Sequence, residues 1–252
     1  DVFNGCSGFS DKLVLSNSVE SIGSNAFKGC SKFSCELIIP KSVKSIGSDA
    51  FNGCSKFYGC LVIPDSIEII QSQCFYGCSG FNKTLVIPSS VKSIESGAFN
   101  GCSNFIGELK ISNSVESIGS DAFKFCSKFS GKLVIPSSIK IIESGVFCNC
   151  FGFSGLEIPN SIISIENESF KGCFGFQGEL TIPDSVTSIG SGSFYNCSCF
   201  SGSLNIPNSV KSIGCDTFYG CFGFCGSLKI PDTIQIIESG TFFNCSHLSG
   251  LL

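Results

Sequence analysis

The sequence predicts a β-rich repeat solenoid, about ten turns of one 24-residue unit with partial repeats at both ends, and three observations carry that prediction. Cysteine recurs at Cys6, Cys30, Cys54, Cys78, Cys102, Cys126, Cys150, Cys173, Cys197, Cys221 and Cys245, in steps of 24 except for one step of 23 that ends at Cys173. Phenylalanine stands three residues before each of these cysteines, from Phe3 to Phe242, and three residues after, from Phe9 to Phe224, with Leu248 closing the series. All eight prolines share one phase of the unit, where Ser16 and Ser112 are the exceptions. Residues 1–252 thus read as one solenoid domain with a single 23-residue turn at 151–173.

Within each unit the L-x-I segment, as in Leu61, Val62 and Ile63, alternates with the period of a short strand. The proline that follows removes a ladder donor and ends it. The next stretch, S-V-x-S-I-G, spaces its apolar residues three apart, which suits a tight turn, a 3₁₀ segment or a second short strand, with glycine marking the corner. The two phenylalanines, the cysteine and the Leu, Val and Ile positions are the expected core. One such turn cannot bury enough apolar surface to fold alone, so neighbours must supply the remaining burial and backbone hydrogen bonds.

Stacking turns equivalent positions into rows along the solenoid. The serine two residues after the proline, as in Ser42, Ser66 and Ser90, is expected to bond turn backbone. Glu20, Lys44, Glu68, Lys92, Glu116 and Lys140 alternate in sign on successive turns, which should relieve self-repulsion by forming exposed ion pairs of about 0.2 to 1 kcal/mol each. The pattern lapses at Ile163 and Thr187, close to the short turn.

The candidate binding residues lie at the strand centre, between Leu and Ile, because alternation points them away from the core. They are Val14, Ile38, Val62, Val86, Lys110, Val134, Glu157, Thr181, Asn205 and Lys229, apolar in the first half and polar in the second. An exposed apolar strip of this length is either a partner site or only a consequence of β-branched residues suiting strands. One step earlier on the same face, Lys12, Glu36, Cys60, Thr84, Glu108, Lys132, Gly155, Glu179, Ser203 and Ser227 vary from turn to turn, as a recognition surface would.

Composition narrows the function classes. Sixteen lysines, no arginine and 20 acidic residues give a net charge of −4, without the basic footprint of a nucleic-acid or polybasic membrane binder. No apolar run is long enough to span a membrane, and the first ten residues do not resemble a signal peptide. The absence of methionine and the start inside a repeat mark a processed or excised piece. His247 is the only histidine and sits at a position expected to face solvent, so hydrolytic triads and arginine phosphate clamps are excluded, and no cofactor or metal site is expected.

Eighteen cysteines would ordinarily suggest disulfides or zinc, but eleven form the 24-residue row, where a small apolar side chain suits a buried ladder, and the spacing lacks a zinc pattern. The other seven are Cys35, Cys60, Cys74, Cys148, Cys199, Cys215 and Cys225. Cys35 with Cys60, and Cys199 with Cys225, lie on adjacent turns at nearly one phase and could reach disulfide distance. Sequons begin at Asn82, Asn167, Asn196 and Asn244, two of them straddling the cysteine row.

Units such as LVIPSSVKSIESGAFNGCSNF and LVIPDSIEIIQSQCFYGCSGF resemble BspA-like leucine-rich repeats of the treponemal class, over the whole chain. The resemblance implies a right-handed coil with a concave parallel sheet, in surface or secreted proteins of bacteria and protozoan parasites associated with adhesion and immune recognition, and it brings no catalytic residues. The extra residue in F-x-G-x-L, against the family's usual shorter unit, should widen the turn before the strand. The expected function is a non-catalytic, extracellular or cell-surface adhesin that binds host or microbial protein through its concave face. The alternatives are an intracellular scaffold, favoured by so many unpaired thiols, and a structural module that self-associates through uncapped solenoid ends.

Overall fold

The computed structural model describes residues 1–249 as a coil of stacked turns with parallel strands and, among those residues, no helix. Nine two-residue strands follow the S-I segment: β1 (Ser21–Ile22), β2 (Ser45–Ile46), β3 (Ile69–Ile70), β4 (Ser93–Ile94), β5 (Ser117–Ile118), β7 (Ile141–Ile142), β9 (Ser164–Ile165), β10 (Ser188–Ile189) and β12 (Ser212–Ile213). Only four follow the L-x-I segment: β6 (Lys132–Val134), β8 (Gly155–Glu157), β11 (Leu204–Asn205) and β13 (Leu228–Lys229). Every pairing is parallel between neighbouring turns, as in Ile94 opposite Ile118.

The S-I segment thus resolves into the second short strand, and it is the steadier of the two lines. Its backbone keeps a donor at each step: Lys92 N–H donates to the Glu68 carbonyl at 2.7 Å and Gly119 N–H to that of Ile94 at 2.7 Å. In the other line, proline removes the next backbone donor in every turn that carries it. There the ladder reduces in places to single bridges such as Val86 opposite Lys110. A third line of bonds runs along the corner, where Phe27 N–H donates to the Ala50 carbonyl at 2.8 Å and Gly29 N–H to that of Asn52 at 2.7 Å.

That corner needs left-handed backbone. Gly29 and Gly53 stand there at φ 73° and 77°, and Asn149, Asn196 and Asn244 hold the same place in later turns. Phe125 occupies it at φ 62°, an unfavourable conformation for a bulky side chain.

The core consists of two phenylalanine stacks and the cysteine row. Phe51, Phe75, Phe99 and Phe123 stack at centroid spacings of 5.4–5.6 Å, and Phe57, Phe81, Phe105 and Phe129 at 5.7–6.2 Å. Each row cysteine from Cys30 to Cys245 donates its S–H to a phenylalanine carbonyl one turn back, at 3.0–3.1 Å. The row is therefore a hydrogen-bonded ladder as well as a run of small apolar side chains.

The 23-residue turn is accommodated just before its strand. Gly131 is left-handed at φ 77°, whereas Gly155 pairs directly with Lys132 and is not left-handed. β8 then pairs residue for residue with β6, Leu156 with Leu133 and Glu157 with Val134. Turns that keep the extra residue place a left-handed glycine there in several cases, as at Gly59, Gly107 and Gly131, and β6 after Gly131 is as long as β8.

Candidate interaction surface

All ten strand-centre residues are exposed, as alternation requires, while the Leu and Ile beside them face the core. Val14, Ile38, Val62 and Val86 expose 73, 56, 63 and 64% of their surface, so a line of large apolar side chains faces solvent on the first four turns. The line continues through Lys110 to Val134, and then through Glu157, Thr181, Asn205 and Lys229. Lys132 Nζ meets Glu157 at 2.6 Å and Lys110 Nζ meets Glu108 at 3.9 Å on this face.

Beyond Glu157 the face opens into a cleft of about 580 Å³, lined by Glu179, Thr181, Asp184, Asn205, Asn208 and Lys229. It lies where strand pairing lapses: β11 pairs forward with β13, and 180–182, one turn back, belongs to no strand. Sequence patterning gave the polarity of Thr181, Asn205 and Lys229 but not their convergence with Asp184 and Asn208, which depends on how neighbouring turns separate.

Other rows are structural. Ser42 Oγ donates to the Val19 carbonyl at 2.7 Å and Ser90 Oγ to that of Ile67 at 2.8 Å, as expected of a turn hydroxyl, although the hydroxyl oxygens of Ser114, Ser161 and Ser209 are buried with no such partner. The alternating charges pair only once among the described residues, Lys44 with Glu20 at 2.9 Å, which holds the Glu20 carboxyl below its ordinary pKa. Long exposed side chains gain too little from each contact to hold all of them in register. A separate serine line does connect, with Ser21 and Ser45 hydroxyls 2.9 Å apart and Ser93 and Ser117 2.8 Å apart.

The structure carries all 18 cysteines as free thiols. Cys35 is buried and its sulfur accepts the Leu13 N–H at 3.5 Å, whereas Cys60, one phase on, faces solvent. The single-residue offset therefore sends the two thiols to opposite sides. Cys199 and Cys225 are both exposed and unbonded. Burial drives the row thiols upward in pKa, Cys54 to about 12 and Cys78, Cys126 and Cys150 also well above the ordinary value. His247 is exposed, its Nδ1 2.6 Å from the Phe222 carbonyl. Among the sequons only Asn82, Lys83 and Thr84 are exposed throughout, while Ser169 and Cys197 are buried.

One feature escaped the sequence reading. On the corner, Tyr195, Tyr219 and Phe243 stack at 4.6 and 4.8 Å, Phe151 and Phe174 at 4.9 Å, and Lys171 Nζ stands 5.4 Å from the Tyr195 ring centre. The signal was available: these positions hold mostly Ser, Asn or Lys in earlier turns, as at Ser55, Asn52 and Lys28, with Tyr76 and Cys148 as exceptions.

The BspA-type leucine-rich repeat region matches residues 1–130, 58–177 and 177–251, in six copies. The chain belongs to this family. Members of the wider leucine-rich-repeat class are typically non-catalytic and bind other proteins. Among solved structures, a leucine-rich repeat protein from Bacteroides ovatus shares 29% identity with a TM-score of 0.68, over 92% of this chain and 63% of that one. The chain thus spans less than two thirds of that relative. The Treponema pallidum leucine-rich repeat protein shares the fold at 24% identity and TM-score 0.57, covering 85% of this chain and 84% of its own. A leucine-rich cell surface protein from Faecalibacterium prausnitzii does so at 22% and 0.50, covering 84% and 83%. No curated protein sequence matches the chain. No helix among the described residues is long and apolar enough to cross a membrane.

Proposed function

We propose that residues 1–252 form one non-catalytic binding module of a cell-surface or secreted adhesin. It recognises a host or microbial protein through the strand-centre row from Val14 to Lys229. The observation that carries this reading is the exposure of Val14, Ile38, Val62 and Val86 at one position on four successive turns, which aligns them as a continuous apolar strip. An apolar strip without intramolecular cover lowers its free energy by meeting a partner. Family membership supports a protein as that partner, and the likeness to a protein described as a cell surface protein accords with an extracellular setting.

The test is adhesion of the purified chain to immobilised extracellular-matrix proteins and to intact host cells, with Ile38→Asp and Val62→Asp compared with the parent. Each aspartate should weaken binding about tenfold or more, because a charge is left desolvated in the contact. Unchanged adhesion in the double variant contradicts the assignment.

An intracellular scaffold is the second reading, and the observation favouring it is the full set of free thiols. Thiol titration of natively expressed protein separates the two. Disulfides between the exposed cysteines, or glycan at Asn82, support secretion, and free exposed thiols without glycan support the scaffold.

A further inference from the structure

We infer that the cleft between Thr181 and Lys229 is a binding site for a neutral oligosaccharide, separate from the apolar strip. This rests on the reading that the strand-centre face is the binding face, and it gives the polar half of that face a ligand of its own. The lining has the chemistry of a hydroxyl-binding surface. Glu179, Asp184, Asn205, Asn208 and Thr181 offer carboxylate, amide and hydroxyl groups on one concave surface, with Lys229 at its edge. Planar carboxylates and amides satisfy hydroxyl-bearing ligands well, because each ligand hydroxyl both donates and accepts.

These groups are also uncommitted. None of the ion pairs among the described residues involves Glu179, Asp184 or Lys229, and none of these six side chains has a hydrogen-bond partner within the protein. Asn113, which follows the strand as Asn208 does, spends its Oδ1 on the Ser137 N–H at 3.1 Å, so such side chains are elsewhere used to tie turns together. Ser209, whose hydroxyl is buried without a partner, also lines the cleft.

Other occupants fit the cleft less well. Leu180, Ile182 and Ile206 lie in the cleft wall but are buried, which leaves half-buried Pro207 as the one apolar side chain of the lining open to a ligand. Two carboxylates against one ammonium disfavour anionic sugars. A volume of about 580 Å³ falls within the range of small-ligand sites and suits about two or three sugar rings.

The test is calorimetric titration of the intact chain with mannotriose, chitotriose and N-acetyllactosamine, with sialyllactose as the anionic control. At least one neutral sugar should bind with a dissociation constant of roughly 0.1 to 1 mM, and sialyllactose should bind at least about tenfold more weakly. Thr181→Ala and Asn205→Ala should each weaken the bound sugar about tenfold, while Val62→Asp should leave it unchanged. Absence of binding by all three neutral sugars, or binding indifferent to both alanines, overturns the assignment. Sugar binding without adhesion would remove only the protein-binding reading. Adhesion sensitive to Val62→Asp without sugar binding would remove only the cleft.

Discussion

Phe125 and the cysteine row show how far single residues depend on their place in the coil. Phe125 holds a left-handed backbone that Gly and Asn supply in the other turns, at a cost of about 1 to 2 kcal/mol. Phe125→Asn should therefore stabilise the chain by roughly 0.5 to 1 kcal/mol, read as a higher midpoint of denaturant unfolding; a lower midpoint would mean that the exposed ring makes contacts that outweigh the strain. The row cysteines carry a pH dependence. Their folded-state pKa is raised by burial, to about 12 at Cys54, against 9.0 for the ordinary thiol. A raised acid is stabilising below the unfolded pKa, and the stability it gives is lost as pH climbs from there toward the folded value. Each such thiol lowers stability by about 1.4 kcal/mol per pH unit in that window, so the coil should unfold cooperatively above about pH 9 to 10. Melting temperatures between pH 7 and 10 check this, and a flat profile contradicts it. At neutral pH a thiol reagent should modify Cys60, Cys199, Cys215 and Cys225 and spare the row from Cys30 to Cys221 until the chain unfolds.

At the scale of the strand, the two lines of each turn differ in a way that alternation alone did not disclose. Leu61, Val62 and Ile63 have the cleaner strand pattern, yet Ser93 and Ile94 make the ladder and 61–63 belongs to no strand. Periodicity reports which side chains are buried, and it did so correctly for Leu61, Val62 and Ile63. Hydrogen bonding depends also on the proline that ends one segment and on the left-handed bend that precedes it, and both act on the L-x-I line. Amide hydrogen exchange should accordingly be slow at Lys92, Gly119 and Gly190 and faster at 13–15, 37–39 and 61–63. Equal protection of the two lines would mean that the L-x-I segments ladder in solution. The 23-residue turn is informative in the same way: the missing residue was legible in the cysteine spacing, whereas the direct pairing of Gly155 with Lys132 followed from which residue the coil dispensed with.

For the whole molecule, the repeat was legible in full because stacking demands the same residue types at each turn. Function is carried by departures from the repeat, which a single unit cannot reveal. Aligned as rows, Val14, Ile38, Val62 and Val86 stood out in the sequence; the cleft at Asn205 and the aromatic corner at Tyr195, Tyr219 and Phe243 emerged only with the turns in place. One question left by the row was whether its valines bind or merely favour strands. Replacing Val14, Ile38, Val62 and Val86 together by threonine separates the two, because threonine keeps the branching that suits a strand and removes an apolar methyl surface. The measurement is binding of this fourfold variant to the same host cells and matrix proteins, with its melting temperature taken alongside. The account predicts a melting temperature near that of the parent and adhesion weaker by about tenfold or more. Undiminished adhesion would contradict it, and would leave the apolar strip as strand chemistry alone.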